Sequence, residues 1–496
     1  MNKKNAYLTF DKDCKKSTIN KDIYGHFAEH LGRCVYEGIF VGKDSQIPNI
    51  NGIRKDVAEA LKELNIPVLR WPGGCFADTY KWEDGVGERR KILNKTWGDV
   101  VEDNSFGTHE FFELCELIGC DAYISGNVGS GTPRELSEWL EYITYDGESY
   151  YSDMRRENGR DEPWRLKYLG IGNENWGGGG NMTPEFYASL YRQFQTYARS
   201  FNKEKTFKIA CGPDSFNYAW TGELMKHLNE YNADAIALHY YTLPTGEWEK
   251  KGAALNFPDD EYYATMYRTN RIEELIRNHS FVMEQTDPEH KIKLVVDEWG
   301  AWYDVEDGTN AAFLYQQNTM RDAILAAINL NIFNNHSDIV MMANIAQTVN
   351  VLQSVIICRE DDTRLIKTPT YHVFDMYKKH QNATLLASSL STPELMYEGN
   401  YFPMISESVS IKDDKIFITL SNASLDTDCE LLIDGGSKFK IIESKVLDSD
   451  VREYNDYDSL ENVAIHEFKD ITFRDNKMIV LLPAHSVVSV LLEEEI

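Results

Sequence analysis

The chain has 496 residues, enough for a large core and more than one domain, and its 42% hydrophobic and 12% aromatic content excludes a disordered protein. A formal net charge of −28 argues against a nucleic-acid partner, because nothing on that scale offsets phosphate repulsion. The start carries no apolar signal core, no run of about 18 apolar residues occurs after it, and none of the eight cysteines forms a CxxC pair, so a cytoplasmic protein with free, mostly buried thiols and no membrane span is expected.

Residues 6–10 alternate and read as a strand standing apart from the elements after it. A βα rhythm then begins. Apolar strands are expected at 24–29, 66–71, 121–127, 166–171, 207–212, 235–239, 292–298 and 339–345, each followed by a helical pattern. Several helix starts are marked. Thr132-Pro133-Arg134-Glu135 fits a capping box, Thr183-Pro184 and Thr368-Pro369 pair an N-cap with proline at the first helical position, and Gly119 stops the helix that Thr108 begins. One long helix is expected over 311–333. Eight such units without a dinucleotide fingerprint favour a parallel (β/α)8 TIM barrel over an open sheet, and the length demands long loops. After His380 the period changes to two, as in the antiparallel strands of a β-sandwich. The expected division is a catalytic barrel over 20–380 and a β-sandwich formed by 1–19 with 381–496, the two packed closely.

In a barrel the strand tips converge on one face. Here they supply Glu29, Arg70 with Trp71, Asn127, Asn173 with Glu174, His239 with Tyr241, Glu298, and Asn344 with Gln347. Amides, carboxylates and aromatic rings together suit a sugar, whose hydroxyls need hydrogen-bond partners and whose ring face needs an apolar wall. Cleaving a glycosidic bond requires one carboxyl to protonate the leaving oxygen and a second as nucleophile or base. Glu174 and Glu298, each ending an apolar strand beside tryptophan, fit that pair. Asp297 is expected on the opposite side of its strand in a structural role. Glu29 suits a substrate hydrogen-bond acceptor. His26 and His30 flank it at a spacing of four but lack a metal-site order, so hydrogen-bonded imidazoles are expected. Gly177 to Gly180 lack a phosphate-loop lysine and read as a flexible rim.

The stretches Gly25-His26-Phe27-Ala28-Glu29-His30, Arg70-Trp71-Pro72-Gly73-Gly74-Cys75-Phe76, Gly172-Asn173-Glu174-Asn175-Trp176, Val296-Asp297-Glu298-Trp299, Ala343-Asn344-Ile345-Ala346-Gln347 and Thr368-Pro369-Thr370-Tyr371-His372-Val373-Phe374 occur in one order. Together they resemble the intracellular α-L-arabinofuranosidases of glycoside hydrolase family 51 over nearly the whole chain. The resemblance implies a retaining, exo-acting enzyme that releases terminal arabinofuranosyl residues from arabinan, arabinoxylan or derived oligosaccharides. It implies Glu174 as acid/base and Glu298 as nucleophile. Glu29, Cys75, Asn173, Tyr241 and Gln347 would hold the sugar, with Trp97 and Trp302 as further aromatic contacts. It implies no metal and no organic cofactor, and a homo-oligomer such as a hexamer. It also places the N-terminal strand in the C-terminal sandwich. Gly178 departs from the pattern, since many relatives carry Cys there. Two alternatives stay open: another retaining barrel glycosidase, such as an endoglucanase or β-xylosidase, and a non-catalytic glycan-binding protein.

Overall fold

The computed structural model describes residues 2–495. Eight parallel strands close into a barrel in chain order: Gly25–Phe27, Val68–Trp71, Asp121–Gly126, Tyr168–Ile171, Phe207–Ala210, Ala235–Thr242, Lys293–Ala301 and Val340–Ala346. Closure is made by the eighth strand on the first, with Asn344 opposite Gly25. Val68, Tyr123, Tyr168, Ile209, Ala235, Ala237, Val295 and Met342 fill the barrel interior, so it is a packed core and not a pore.

The helices keep the expected rhythm, with one correction. The helix expected over 311–333 is in fact Met320–Asn335. Ala311–Phe313 makes only a 3-10 turn, closed by Leu314 with φ of 50°. The helix starts where Thr319 caps it and Asp322 returns the hydrogen bond to the Thr319 backbone. Apolar content misplaces the start because residues 320–334 are buried on every face, leaving no amphipathic stripe to read. This helix is the joint between the two parts of the molecule. Asn331 bonds Ser406 and Thr419 at 3.1 and 2.7 Å, and Asn335 bonds the Glu407 carbonyl at 2.8 Å.

The second part is one continuous ten-stranded sheet. The N-terminal strand Asn2–Thr18 lies inside it, antiparallel to Thr384–Ser391 and parallel to Thr427–Asp434. That parallel pair departs from the all-antiparallel expectation. It arises because the strand enters from the far end of the chain and fills a gap rather than continuing a hairpin. The sheet folds over on itself. Phe10 and Phe439 stand five strands apart, which would be about 24 Å in a flat sheet, yet their rings are 5.8 Å apart. The apolar residues between the two layers form the second core, as a sandwich requires.

Three loops at the carboxyl ends of the strands carry small hairpins that sequence periodicity does not reveal. They are Asn49–Ile50 with Ile53–Arg54, Ile92–Asn94 with Val100–Glu102, and Ile356–Cys358 with Leu365–Lys367.

Candidate active site

The strand ends enclose a cavity of about 580 Å³. Its deep end is buried: Glu29, Gln347 and Glu298 are 2%, 1% and 5% exposed. Its outer end carries Trp248, which is 51% exposed, on the loop after the sixth strand.

Glu298 reaches the cavity through an irregularity in its strand. Between Val296 and Trp299 the seventh strand has one residue more than its neighbour, where Ala343 leads to Ile345; against the sixth strand the same excess lies between Ala237 and His239. Such a bulge turns two successive side chains to one side. Asp297 therefore does not face away, as simple alternation implies. It stays on the interior side, accepts a hydrogen bond from Tyr123 Oη at 2.7 Å and lies 3.5 Å from Arg70 Nε. Glu298 accepts from Arg70 Nη1 at 2.9 Å and from Tyr241 Oη at 2.8 Å. Gly74 permits this approach, because a Cβ there would meet Glu298 Oε1 at 2.6 Å.

Glu174 lies in the turn after the fourth strand with φ of 42°, a left-handed backbone rare for a side chain of its size and typical of functional sites. Its Oε2 accepts from Cys75 Sγ at 3.3 Å and its Oε1 lies 2.9 Å from His239 Nδ1. The adjoining Asn173 accepts from Arg70 Nη2 at 2.6 Å. One arginine thus ties both carboxylate-bearing strands together. Glu29 is held by the backbone of Gly74 and Phe76 and by Trp97 Nε1 on one oxygen, and by Gln347 Nε2 at 2.9 Å on the other. Burial, then the neighbouring Glu298 charge, pushes its carboxyl up to about 7. Trp302 stands edge-on to Tyr241 at 5.0 Å and to Trp248 at 5.1 Å.

Glu174, His239 and Glu298 each present one donor atom within 4.8 Å of the others. Arg70 already occupies Glu298 from the side, and a fixed guanidinium opposes a metal cation there. The charge pattern suits acid–base work. Glu298, Asp297 and Glu174 together raise His239 well above its ordinary value despite burial. That imidazolium in turn holds Glu174 low, against the effect of burial.

The structure thus brings Glu29, Cys75, Trp97, Glu174, Tyr241, Glu298, Trp302 and Gln347 into one cavity, with Asn173 directly behind its wall. Other strand-tip residues lie elsewhere. Asn127 closes its own loop by accepting from Ser130 and Gly131 backbone groups. Asn344 is fully buried against Gly25 in the barrel wall. His30 is hydrogen-bonded as expected, between Glu102 at 3.1 Å and Trp71 Nε1 at 3.0 Å. His26 is not: neither ring nitrogen has a partner among the described residues, and its ring packs 4.8 Å from Phe374. The glycine run is no flexible rim either. Asn175 Nδ2 bonds the Gly179 carbonyl at 2.7 Å, and a Cβ on Gly179 would lie 1.9 Å from the Asn173 carbonyl. A Cβ on Gly178 would stand 2.9 Å from Cys75 Sγ, so that departure touches the cavity wall.

Sequence reasoning misses Asp78, Phe216, Trp176 as a wall residue, and Trp248. Asp78 sits three residues past Cys75 with no motif of its own. Its buried carboxylate accepts backbone N–H groups from Val128, Gly129 and Asn173 at 2.8, 2.6 and 3.0 Å. Trp248 sits among charged residues on a loop without periodicity, where nothing distinguishes it from surface.

Comparisons with known proteins fit this geometry. Residues 60–256 match the family model described as alpha-L-arabinofuranosidase 1 domain, and 297–486 match the alpha-L-arabinofuranosidase C-terminal domain. A Bacteroides ovatus protein named intracellular exo-alpha-L-arabinofuranosidase is 48% identical over 99% of this chain and 96% of its own. The crystal structure of the GH51 arabinofuranosidase from Xanthomonas axonopodis pv. citri superposes with a TM-score of 0.96 at 42% identity, covering 99% of this chain and 100% of that one. The Thermotoga maritima alpha-L-arabinofuranosidase, in its arabinose complex, does so with 0.86 at 31% identity and the same coverage. On this agreement of sequence, fold and site, the chain belongs to the α-L-arabinofuranosidases of glycoside hydrolase family 51.

Proposed function

We propose that the protein is a retaining, exo-acting α-L-arabinofuranosidase in which Glu298 is the nucleophile and Glu174 the acid/base. The observation that carries this reading is the spacing of the pair: an oxygen of each carboxylate lies within 4.8 Å of the other. Retaining enzymes hold their carboxyl groups at about 5–5.5 Å, whereas inverting ones leave roughly 6.5 Å or more for a water. Glu298 accepts from Arg70 and Tyr241, which favour its carboxylate against the upward push of burial, and suits attack on the anomeric carbon. Glu174, with 17% of its side chain exposed toward the cavity, suits proton delivery to the leaving oxygen and later activation of water.

The buried end of the cavity, closed by Glu29 and Gln347, supports release of single terminal residues rather than cleavage within a chain. Glu29, Asn173, Cys75, Tyr241 and Gln347 would hold the sugar there, with Trp97 beside them. Trp302, Trp176, Phe216 and Trp248 line the outer part and would pack the leaving portion of an arabinan, arabinoxylan or derived oligosaccharide. The same reading takes 20–380 as the catalytic barrel and 1–19 with 381–496 as the second domain. Pairing of Thr18 with Thr384 in the sheet and of Gly25 with Asn344 in the barrel supports that division. A cytoplasmic location is supported by the intracellular relative; among the described residues no helix is long and apolar enough to cross a membrane. A homo-oligomer is supported by the family resemblance.

Hydrolysis of 4-nitrophenyl α-L-arabinofuranoside, followed by proton NMR, tests the reading. The first-formed arabinose should be the α anomer. A β product would overturn retention, and no release at all would overturn the activity.

A further inference from the structure

The site contains one more proton-bearing group than the two-carboxylate scheme uses. His239, on the sixth strand and 7% exposed, projects into the space between the reactive carboxylates. Its Nδ1 lies 2.9 Å from Glu174 Oε1 and 3.4 Å from Glu298 Oε2. Its Nε2 lies 3.1 Å from Asp297 Oδ1 in an off-axis contact. One ring thus spans all three carboxylates at the centre of the barrel mouth.

We propose that in the resting enzyme the proton destined for the leaving group is held on His239 Nδ1 and passes to Glu174 only as the nucleophile reacts. The proposal rests on the assignment of Glu174 and Glu298 above and deepens it.

The charges around the ring give the reason. Glu174 comes from the fourth strand, Asp297 and Glu298 from the seventh, Tyr241 from the sixth itself and Tyr123 from the third. Arg70 comes from the second strand, Glu29 and Cys75 from the loops after the first and second, and Cys211 with the more exposed Asp214 from the end of the fifth. Arg70 is the fixed cation in this group and is shared between Asp297 and Glu298. A proton on His239 sits where three negative charges meet, whereas a proton on Glu174 would neutralise only one of them. The resting preference comes from that geometry, and the strong upward displacement of His239 agrees with it.

The step balances. Glu298 attacks the anomeric carbon and forms a C–O bond. The glycosidic C–O bond breaks, its electron pair stays on the leaving oxygen, and Glu174 protonates that oxygen. Esterified Glu298 no longer carries a charge, so His239 loses one of the anions that held its proton. As that charge is lost, Nδ1 releases its proton across 2.9 Å to Glu174, and this is the proton Glu174 hands to the leaving oxygen. In the second half, water attacks the anomeric carbon and gives a proton to Glu174, the ester bond breaks with its electrons returning to Glu298, and the proton returns to His239. Nothing is consumed beyond substrate and water. His239 is a positioning and proton-holding residue that acts through Glu174.

Two measurements test this on the intact enzyme. Nitrogen-15 NMR of labelled histidine should show His239 doubly protonated in free enzyme at the pH of maximal kcat/KM. It should be neutral in the covalent species trapped with a 2-fluoro-arabinofuranosyl inhibitor. His239→Asn keeps an N–H donor near Nδ1 but cannot hold the extra proton. Its alkaline limb of kcat/KM should move at least one unit toward acid pH. Its loss should be tenfold or more on an alkyl arabinofuranoside and smaller on the 4-nitrophenyl substrate. A neutral His239 in the free enzyme, or an unmoved limb with equal losses on both substrates, would overturn the proposal. If wild type releases no arabinose, the assignment beneath it fails instead. If wild type retains configuration while the limb stays put, only the role of His239 falls.

Discussion

At the scale of single residues, the site is a set of buried polar groups that specify one another. Asp78 has no cation partner among the described residues, yet its two oxygens collect three backbone N–H groups, from the loops after the third and fourth strands. Burial pushes its carboxyl up to about 7 in spite of them. Asp78→Asn must aim an amide donor at one of those N–H groups, which shifts Asn173 and with it Glu174. A misplacement of about 1 Å can cost on the order of 100-fold. Steady-state kinetics should therefore show kcat falling by roughly tenfold or more with KM changed much less. An unchanged kcat per active site, with sites counted by titration with a 2-fluoro-arabinofuranosyl inhibitor, would mean that Asp78 serves only folding. Glu174→Ala should lose about 10²–10⁴ in kcat/KM on natural arabinosides, and less on an aryl substrate whose leaving group needs little protonation. Added azide should restore turnover with a retained azide product. An inverted azide would exchange the roles of Glu174 and Glu298.

Much of this is legible in the chain. Glu174 and Glu298 each end a run of apolar residues beside tryptophan, so position alone marks them. Arg70, His239 and Tyr241 emerge by the same rule. Asp78 does not, because its function lies in backbone groups supplied by distant loops, and backbone donors leave no trace in residue identity. Trp248 stays hidden because a loop has no period.

At the scale of elements, alternation places the strands and fails where a bulge intervenes. It puts Asp297 on the wrong side because one extra residue against both neighbouring strands cancels the two-residue period. The helix Met320–Asn335 is over-extended in the sequence reading because burial on all sides erases the 3.6-residue signal while leaving the apolar content. The N-terminal strand is visible as a strand, but only the family resemblance places it. Its partners are some 365 to 425 positions away, which periodicity cannot report. It bridges Thr384–Ser391 and Thr427–Asp434, so deleting residues 2–18 exposes two unpaired edges and takes Leu8 and Phe10 out of the second core. The truncated protein should be insoluble or unfolded, as judged by circular dichroism and gel filtration. A soluble variant with the same melting temperature would show that the sheet does not need this strand.

At the scale of the molecule, buried histidines set the response to acid. Burial holds His26 and His380 down to about 3, and His109, His279 and His372 to about 4. Each takes up a proton near 6.5 once unfolded, so its stabilising effect is complete above that pH and is lost as pH falls toward the folded value. Each contributes a slope of about 1.4 kcal/mol per pH unit within its window. Glu29, Asp78 and Glu407, raised to about 7 by burial, act in the opposite sense between about 4 and 7, because there the folded state binds the extra protons. Asp22, Asp214, Glu298, Glu306 and Asp322, also raised by burial, act in the same sense as these three, so the sign is read one group at a time. His380→Gln should lower the urea-derived stability at pH 7 relative to that at pH 5 by about 1–2 kcal/mol compared with wild type, and an unchanged difference would contradict this role of the buried imidazole.

The chemistry assigned to the barrel mouth depends on a covalent bond to one side chain. Incubation with a 2-fluoro-arabinofuranosyl inhibitor bearing an activated leaving group, followed by peptide mass spectrometry, reads that bond directly. A single fluoroarabinosyl adduct on Glu298, formed as activity is lost, is the expected result. An adduct on Glu174 or Glu29, or inactivation with no adduct at all, would contradict the assignment of Glu298 as nucleophile.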